Sequence, residues 1–137
     1  MSSPALTFHH VGVACRSIDR EQAAYAPLGF TADGPKFEDP VQRIRGLFLS
    51  NAGYRVELLE AIDPDGSSPL EPFLRRGIKL YHQAFETPDL DASIATLVDA
   101  GAVVSVAPVA AVAFGGRRIA FLMQPGLNLV ELIQAPS

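Results

Sequence analysis

The sequence has no tryptophan and only one cysteine, Cys15. A single cysteine cannot form a disulfide within the chain, so we expect a protein of a reducing compartment, the cytoplasm. Cys15 lies in an apolar stretch, and no neighbouring residue indicates activation of its thiolate. We therefore expect a small buried side chain there rather than a reactive thiol.

Positive charge is also scarce. Lysine and arginine number 11 against 15 aspartates and glutamates, a formal net charge of −4, which argues against a general nucleic-acid or anionic-membrane binder. No apolar run approaches the ~18 residues that a membrane span needs, and the N-terminal stretch lacks the basic and long apolar regions of a signal peptide. We expect neither nucleic acid nor membrane as a partner. A chain of 137 residues fits one compact domain.

The most informative feature of the sequence is an internal repeat. Phe8–Cys15 (FHHVGVAC) and Leu80–Thr87 (LYHQAFET) each predict a short buried strand with a histidine near its start. Each is followed by a helix-like segment and, later, by an apolar strand that carries a glutamate. The histidines are His10 and His82, and the glutamates are Glu57 in VELLEA and Glu131 in VELIQA. Divergent duplication explains these matched places better than chance.

The pattern predicts strand, helix and three strands in each half. The modules span about 6–62 and 78–135, and a linker at 63–77 contains a short helix near Pro69–Arg76 that begins with a Ser68–Glu71 capping box.

The first module is predicted to have a helix capped by Ser17 or Asp19, an interrupted strand at Phe30–Phe37, strands at Gln42–Leu49 and Tyr54–Ala61, and a hairpin turn at 51–53. The second is predicted to have a helix opened by Thr87–Asp89, strands at Val103–Val106, Arg117–Met123 and Leu127–Gln134, and an apolar loop at Pro108–Gly116, either a lid or an oligomer contact. The 11-residue spacings Gly46–Glu57 and Ala120–Glu131 predict hairpins of equal length.

Alternation along the strands places the repeated histidines and glutamates among small or apolar neighbours. His10 shares a face with Gly12 and Ala14, and His82 shares one with Ala84. A lone histidine in an apolar strand is more often a hydrogen-bonded core residue. If the two halves pack with pseudo-twofold symmetry, however, two imidazoles and two carboxylates could bind one Zn, Ni, Co, Mn or Fe ion.

Four segments resemble the vicinal oxygen chelate superfamily, which includes glyoxalase I, methylmalonyl-CoA epimerase, extradiol dioxygenases and antibiotic-resistance proteins. They are FHHVGVAC, ELLE (Glu57–Glu60), YHQAFETPDLDASI (Tyr81–Ile94) and GGRRIAFLMQPGLNLVEL (Gly115–Leu132). The last two resemble the epimerase branch most closely. The resemblance implies an α+β fold of two tandem βαβββ modules, whose curved mixed sheets surround a central cavity. It also implies that His10, Glu57, His82 and Glu131 bind one divalent metal ion.

Two residues depart from the epimerase pattern. Glu57 replaces the glutamine that is usual at the second ligand position, and matches glyoxalase I instead. Gly46 stands where the epimerase carries one of its two opposed bases. Epimerisation by two bases needs a proton removed on one face and delivered on the other, so Gly46 argues against the ordinary epimerase reaction.

The resemblance implies metal-assisted proton transfer next to a carbonyl, with Glu131 as the base. The enzyme would be an isomerase, an epimerase or a glyoxalase-like lyase, and a homodimer. Its substrate would be a small acid, a 2-oxoaldehyde adduct or an acyl thioester. One alternative is a metal-independent binding protein of the resistance type. Another is an iron dioxygenase that uses His10, His82 and one carboxylate, against which Glu57 argues because it would occupy a position that oxygen chemistry needs.

Overall fold

The computed structural model describes residues 4–126 and 128–137. These residues form two compact units. The first unit is His10–Tyr81, and the second is His82–Ser137 together with the described residues before His10.

The first unit contains one sheet, two α-helices and a 3₁₀ turn at Ala26–Leu28. Its elements are β1 (Thr7–Ala14, which begins in the second unit), α1 (Ile18–Tyr25), β2 (Thr31–Ala32), β3 (Phe37–Asp39), β4 (Ile44–Asn51), β5 (Tyr54–Ala61) and α2 (Glu71–Arg75). The strand order is β2–β4–β5–β1, and β3 also pairs with β4. β1 runs parallel to β5, whereas the other pairs are antiparallel, so the sheet is mixed.

The second unit repeats this topology. Its elements are β6 (Leu80–Thr87, which begins in the first unit), α3 (Leu90–Asp99), β7 (Val103–Ala110), a 3₁₀ turn at Val112–Phe114, β8 (Arg118–Met123) and β9 (Leu129–Gln134). The order is β6–β9–β8–β7, with β6 parallel to β9 and the rest antiparallel. The predicted α+β fold of two βαβββ modules with mixed sheets is confirmed.

Side-chain caps determine where the two longer helices begin. Ser17 accepts a hydrogen bond from the Arg20 N–H at the start of α1, so of the two predicted caps it is Ser17 that acts. Asp89 accepts from the Ala92 N–H at the start of α3. The predicted capping box of α2 is wrong, because Ser68 accepts instead from the Leu70 N–H and the helix begins after Leu70.

The predicted apolar loop at Pro108–Gly116 is also wrong. Its first three residues continue β7, and Val112–Phe114 forms the 3₁₀ turn. Proline lacks the N–H that a central strand needs, but β7 lies at the edge of the sheet and its register shifts between Val106 and Val109. The last strand begins at Leu129, and the predicted start at Leu127 lies outside the described residues.

In each unit, an apolar core lies between the longer helix and one face of the sheet. In the first unit, Val13, Leu47 and Leu58 pack with Ile18 of α1. In the second unit, Leu122, Leu132 and other buried side chains pack with Leu90 of α3. Because strand side chains alternate, the opposite face of each sheet carries the repeated histidine and glutamate. No helix of the described residues is long and apolar enough to cross a membrane.

The β4–β5 turn offers a test of backbone strain. Ala52 (φ 50°) and Gly53 (φ 88°) both have positive φ, which is typical of a type I′ turn. We expect Ala52→Gly to raise the free energy of unfolding by about 0.5–1 kcal/mol, because glycine adopts this conformation without a Cβ clash. Urea unfolding of the two proteins measures this change in the free energy of unfolding. The control, Ala32→Gly in exposed β2, should not stabilise, and equal effects of the two changes would contradict the assignment.

Candidate metal centre

In the first unit, the structure brings His10 and Glu57 together. His10 Nε2 lies 3.0 Å from Glu57 Oε1, and the two residues are 0% and 4% exposed. The parallel register places Gly12 of β1 opposite Glu57 of β5. His10 is therefore two residues before that point, on the same face, where its imidazole can reach the carboxylate.

The second unit contains the equivalent pair. His82 Nε2 lies 3.2 Å from Glu131 Oε1, and both residues are 3% exposed. Ala84 of β6 lies opposite Glu131 of β9, so the glutamate again faces a small residue two positions after the histidine. The two pairs match in register, burial and contacting atoms. This equivalence supports the duplication that the sequence indicates.

Each pair has a phenylalanine on the neighbouring hairpin strand. Phe48 lies directly opposite Glu57, and Phe121 directly opposite Glu131. The ring centroids of His10 and Phe48 are 5.2 Å apart at an interplanar angle of 83°, and those of His82 and Phe121 have the same distance and angle. The sequence alone does not indicate this contact for either phenylalanine.

The prediction that the two hairpins have equal length is wrong. The register joins Phe48 to Glu57 and Phe121 to Glu131, so the second hairpin is one residue longer. The first closes through the tight turn at Ala52 and Gly53. The second closes where the Gln124 N–H donates to the Asn128 carbonyl. If the two units are aligned from their glutamates and the extra residue is placed in the second hairpin, Phe48 aligns with Phe121.

The same register gives Gly46 a different counterpart from the one that spacing predicts. Gly46 pairs with Phe37 across β3 and β4, and the equivalent pair in the second unit is Ile119 with Val109. The Phe37 ring lies over Gly46, so close that a Cβ built on the glycine would be 2.2 Å from Phe37 Cζ. Phe37 also stacks on Phe48 with centroids 6.0 Å apart. A large–small pair in one unit thus replaces a pair of medium-sized residues in the other.

Cys15 lies outside this arrangement and is buried, as predicted. It is 2% exposed, and its Sγ lies 3.4 Å from the Leu59 carbonyl. Burial raises the pKa of the Cys15 thiol to about 12, with the charges of Glu21 and Glu60 adding to the effect. The thiolate that nucleophilic chemistry requires is therefore disfavoured at neutral pH.

Comparison with known proteins places these features in a family. Residues 9–121 match the model of the Glyoxalase/Bleomycin resistance protein/Dioxygenase superfamily. None of the curated proteins matches the chain.

Several solved structures share the fold over nearly the whole chain. Methylmalonyl-CoA epimerase from Mycobacterium tuberculosis is 26% identical, with a TM-score of 0.81 over 99% of this chain and 93% of that one. A Streptomyces coelicolor methylmalonyl-CoA epimerase variant in complex with 2-nitronate-propionyl-CoA is 28% identical, with a TM-score of 0.79 over 97% and 100%. A hypothetical protein from Bacillus halodurans C-125 is 25% identical, with a TM-score of 0.78 over 99% and 97%. On the topology of its two units and the match to 9–121, this chain belongs to the Glyoxalase/Bleomycin resistance protein/Dioxygenase superfamily.

Proposed function

We propose that this protein is a metal-dependent enzyme that transfers a proton at the carbon next to a carbonyl. The observation that carries the proposal is the presence of two buried His–Glu pairs with matching geometry, one in each unit. We propose that His10, Glu57, His82 and Glu131 together bind one divalent ion. Each of the four is buried and offers one atom that could bind a metal.

The chemistry of the donor set fits a divalent ion. Two imidazole nitrogens and two carboxylate oxygens suit Zn, Ni, Co, Mn or Fe. Two carboxylates also balance the charge of a divalent cation. Burying a carboxylate is costly unless the carboxylate is paired, and a shared cation would add to the contacts that His10 and His82 make with the two glutamates.

The base in this proposal is Glu131. Its carboxylate contacts His82, and the residue is buried and lies opposite Phe121 and Ala84 in the sheet. A bound divalent ion would polarise the substrate carbonyl and stabilise the negative charge on its oxygen. One Glu131 oxygen takes the proton from the adjacent carbon, whose electron pair moves toward that carbonyl. In a substrate with a hydroxyl on the adjacent carbon, the same oxygen then delivers the proton to the former carbonyl carbon, while the hydroxyl proton passes to the former carbonyl oxygen and a new carbonyl forms on the adjacent carbon.

The surroundings of Gly46 favour one base over two. The Phe37 ring occupies the space that any side chain at position 46 would need. A second carboxylate at that position would require the ring to move. We therefore favour an isomerase or glyoxalase-like lyase, in which one carboxylate removes and returns the proton, over an epimerase with opposed bases.

The substrate classes that we propose are a small acid, a 2-oxoaldehyde adduct and an acyl thioester. A single base suffices for the 2-oxoaldehyde adduct, whereas the acyl thioester is supported by the solved epimerase in complex with 2-nitronate-propionyl-CoA, which is 28% identical to this chain. We also propose a homodimer, which light scattering of the purified protein tests. The single buried Cys15 supports a cytoplasmic location.

Metal content and proton exchange test the proposed function together. Protein purified without added metal should contain a stoichiometric divalent ion, measured by elemental analysis. In D₂O it should incorporate deuterium next to the carbonyl of a suitable acyl-CoA or hemithioacetal, measured by mass spectrometry, and chelation should abolish the exchange. Metal-free protein that binds such ligands without exchange would instead support the non-catalytic binding protein.

A further inference from the structure

The imidazole ring of each of the two histidines contacts a phenylalanine ring, and this contact suggests a role for the phenylalanine in orienting the histidine. A histidine side chain rotates easily about its last torsion, for which the energy profile is broad. A contact on the ring restricts that rotation. Phe48 and Phe121 provide such contacts at 5.2 Å and 83°, within the distance range and at the edge-to-face angle that aromatic pairs prefer.

We propose that Phe48 and Phe121 are positioning residues, which hold the imidazoles of His10 and His82 in the orientation that directs Nε2 toward the neighbouring carboxylate. The inference rests on the proposed function only in its expectation for metal affinity. The orientation itself is a property of each unit. His10 Nε2 contacts Glu57, and His82 Nε2 contacts Glu131, while the phenylalanine opposite each glutamate contacts the histidine ring.

The residues near the two phenylalanines differ between the units. Phe48 is backed by the Phe37 ring, which packs against buried Ile44, Leu59 and neighbours. In the second unit the equivalent of Gly46 is Ile119, which is fully buried two residues before Phe121. The same contact between histidine and phenylalanine thus occurs with glycine at this position in one unit and isoleucine in the other. Different packing that produces the same ring contact supports a specific role for that contact.

Two leucine variants test the inference. Phe48→Leu and Phe121→Leu keep an apolar side chain but remove the ring, and each should weaken Co²⁺ binding about tenfold. The visible absorption of the Co²⁺ protein should also shift, because ligand orientation determines it. Phe48→Tyr keeps the ring and should remain within about twofold of the original affinity.

Matched controls separate positioning from loss of core packing. Phe30 contacts Tyr25 edge-to-face at 5.2 Å, and Phe85 contacts Phe8 at 5.7 Å, so Phe30→Leu and Phe85→Leu remove a similar contact away from the histidines. Neither control should change Co²⁺ affinity or absorption.

Imidazole nitrogen NMR of the metal-free protein decides the inference independently of metal binding. His10 in Phe48→Leu, and His82 in Phe121→Leu, should show nitrogen shifts averaged by ring motion, while the original protein and both controls should not. Unchanged shifts in both leucine variants would overturn the inference. If the original protein binds no Co²⁺, the proposed function fails, and the nitrogen shifts still decide whether the phenylalanines position the rings.

Discussion

Glu131→Gln is expected to lower turnover about 1,000-fold, within the range that a general base contributes. Glutamine keeps an oxygen that can bind metal and keeps nearly the same shape, but it cannot accept the proton. The variant should therefore retain bound metal when the ion is in excess. Glu131→Ala, which removes the side-chain oxygens, should lose both metal and activity while keeping the fold.

Glu57→Gln is the matched control for this prediction. Glu57 has the same kind of partner as Glu131, a histidine Nε2 at 3.0 Å compared with 3.2 Å, and similar burial. If Glu131 alone is the base, Glu57→Gln in excess metal should keep turnover within about tenfold of the original. Steady-state rates, elemental analysis and circular dichroism provide the comparison. Equal losses in the two glutamine variants would contradict the role of Glu131, and full metal occupancy in Glu131→Ala would contradict its assignment as a ligand.

Gly46→Ala is expected to lower the free energy of unfolding by about 1–3 kcal/mol, the usual effect of overpacking a core. The added Cβ would lie 2.2–2.8 Å from three Phe37 ring atoms. The ring cannot move away freely, because it stacks on Phe48 and packs against buried Ile44 and Leu59. The Cβ clash should therefore appear as lost stability in urea unfolding.

A double-mutant cycle isolates the cause of this loss. With Phe37→Ala as background, the further change Gly46→Ala should cost little, because the ring that clashes is gone. Gly126→Ala is the control, since its φ is not positive and the nearest contact of an added Cβ is 3.8 Å away, at Asn128. Losses at Gly46 that are the same with and without the Phe37 ring would show that the ring is not responsible.

Much of the fold could be predicted from local patterns. Tyr54–Ala61 was predicted with its observed bounds, and Ser17 was one of two predicted caps for α1. Such features depend on a residue and its near neighbours in the sequence, so their physical causes are visible in a single chain. The length of β7 was underestimated, because a proline such as Pro108 normally ends a strand. The proline is tolerated here because β7 lies at the edge of the sheet.

By itself the sequence determined the duplicated βαβββ plan and the two histidines and two glutamates at matching places, because strand alternation and repeat spacing are properties of the chain alone. Only the tertiary structure decided that Phe48 and Phe121 contact the histidines and that Phe37 covers Gly46. These contacts depend on cross-strand register. The second hairpin is one residue longer than the first, so the spacing along the chain conceals which residues pair.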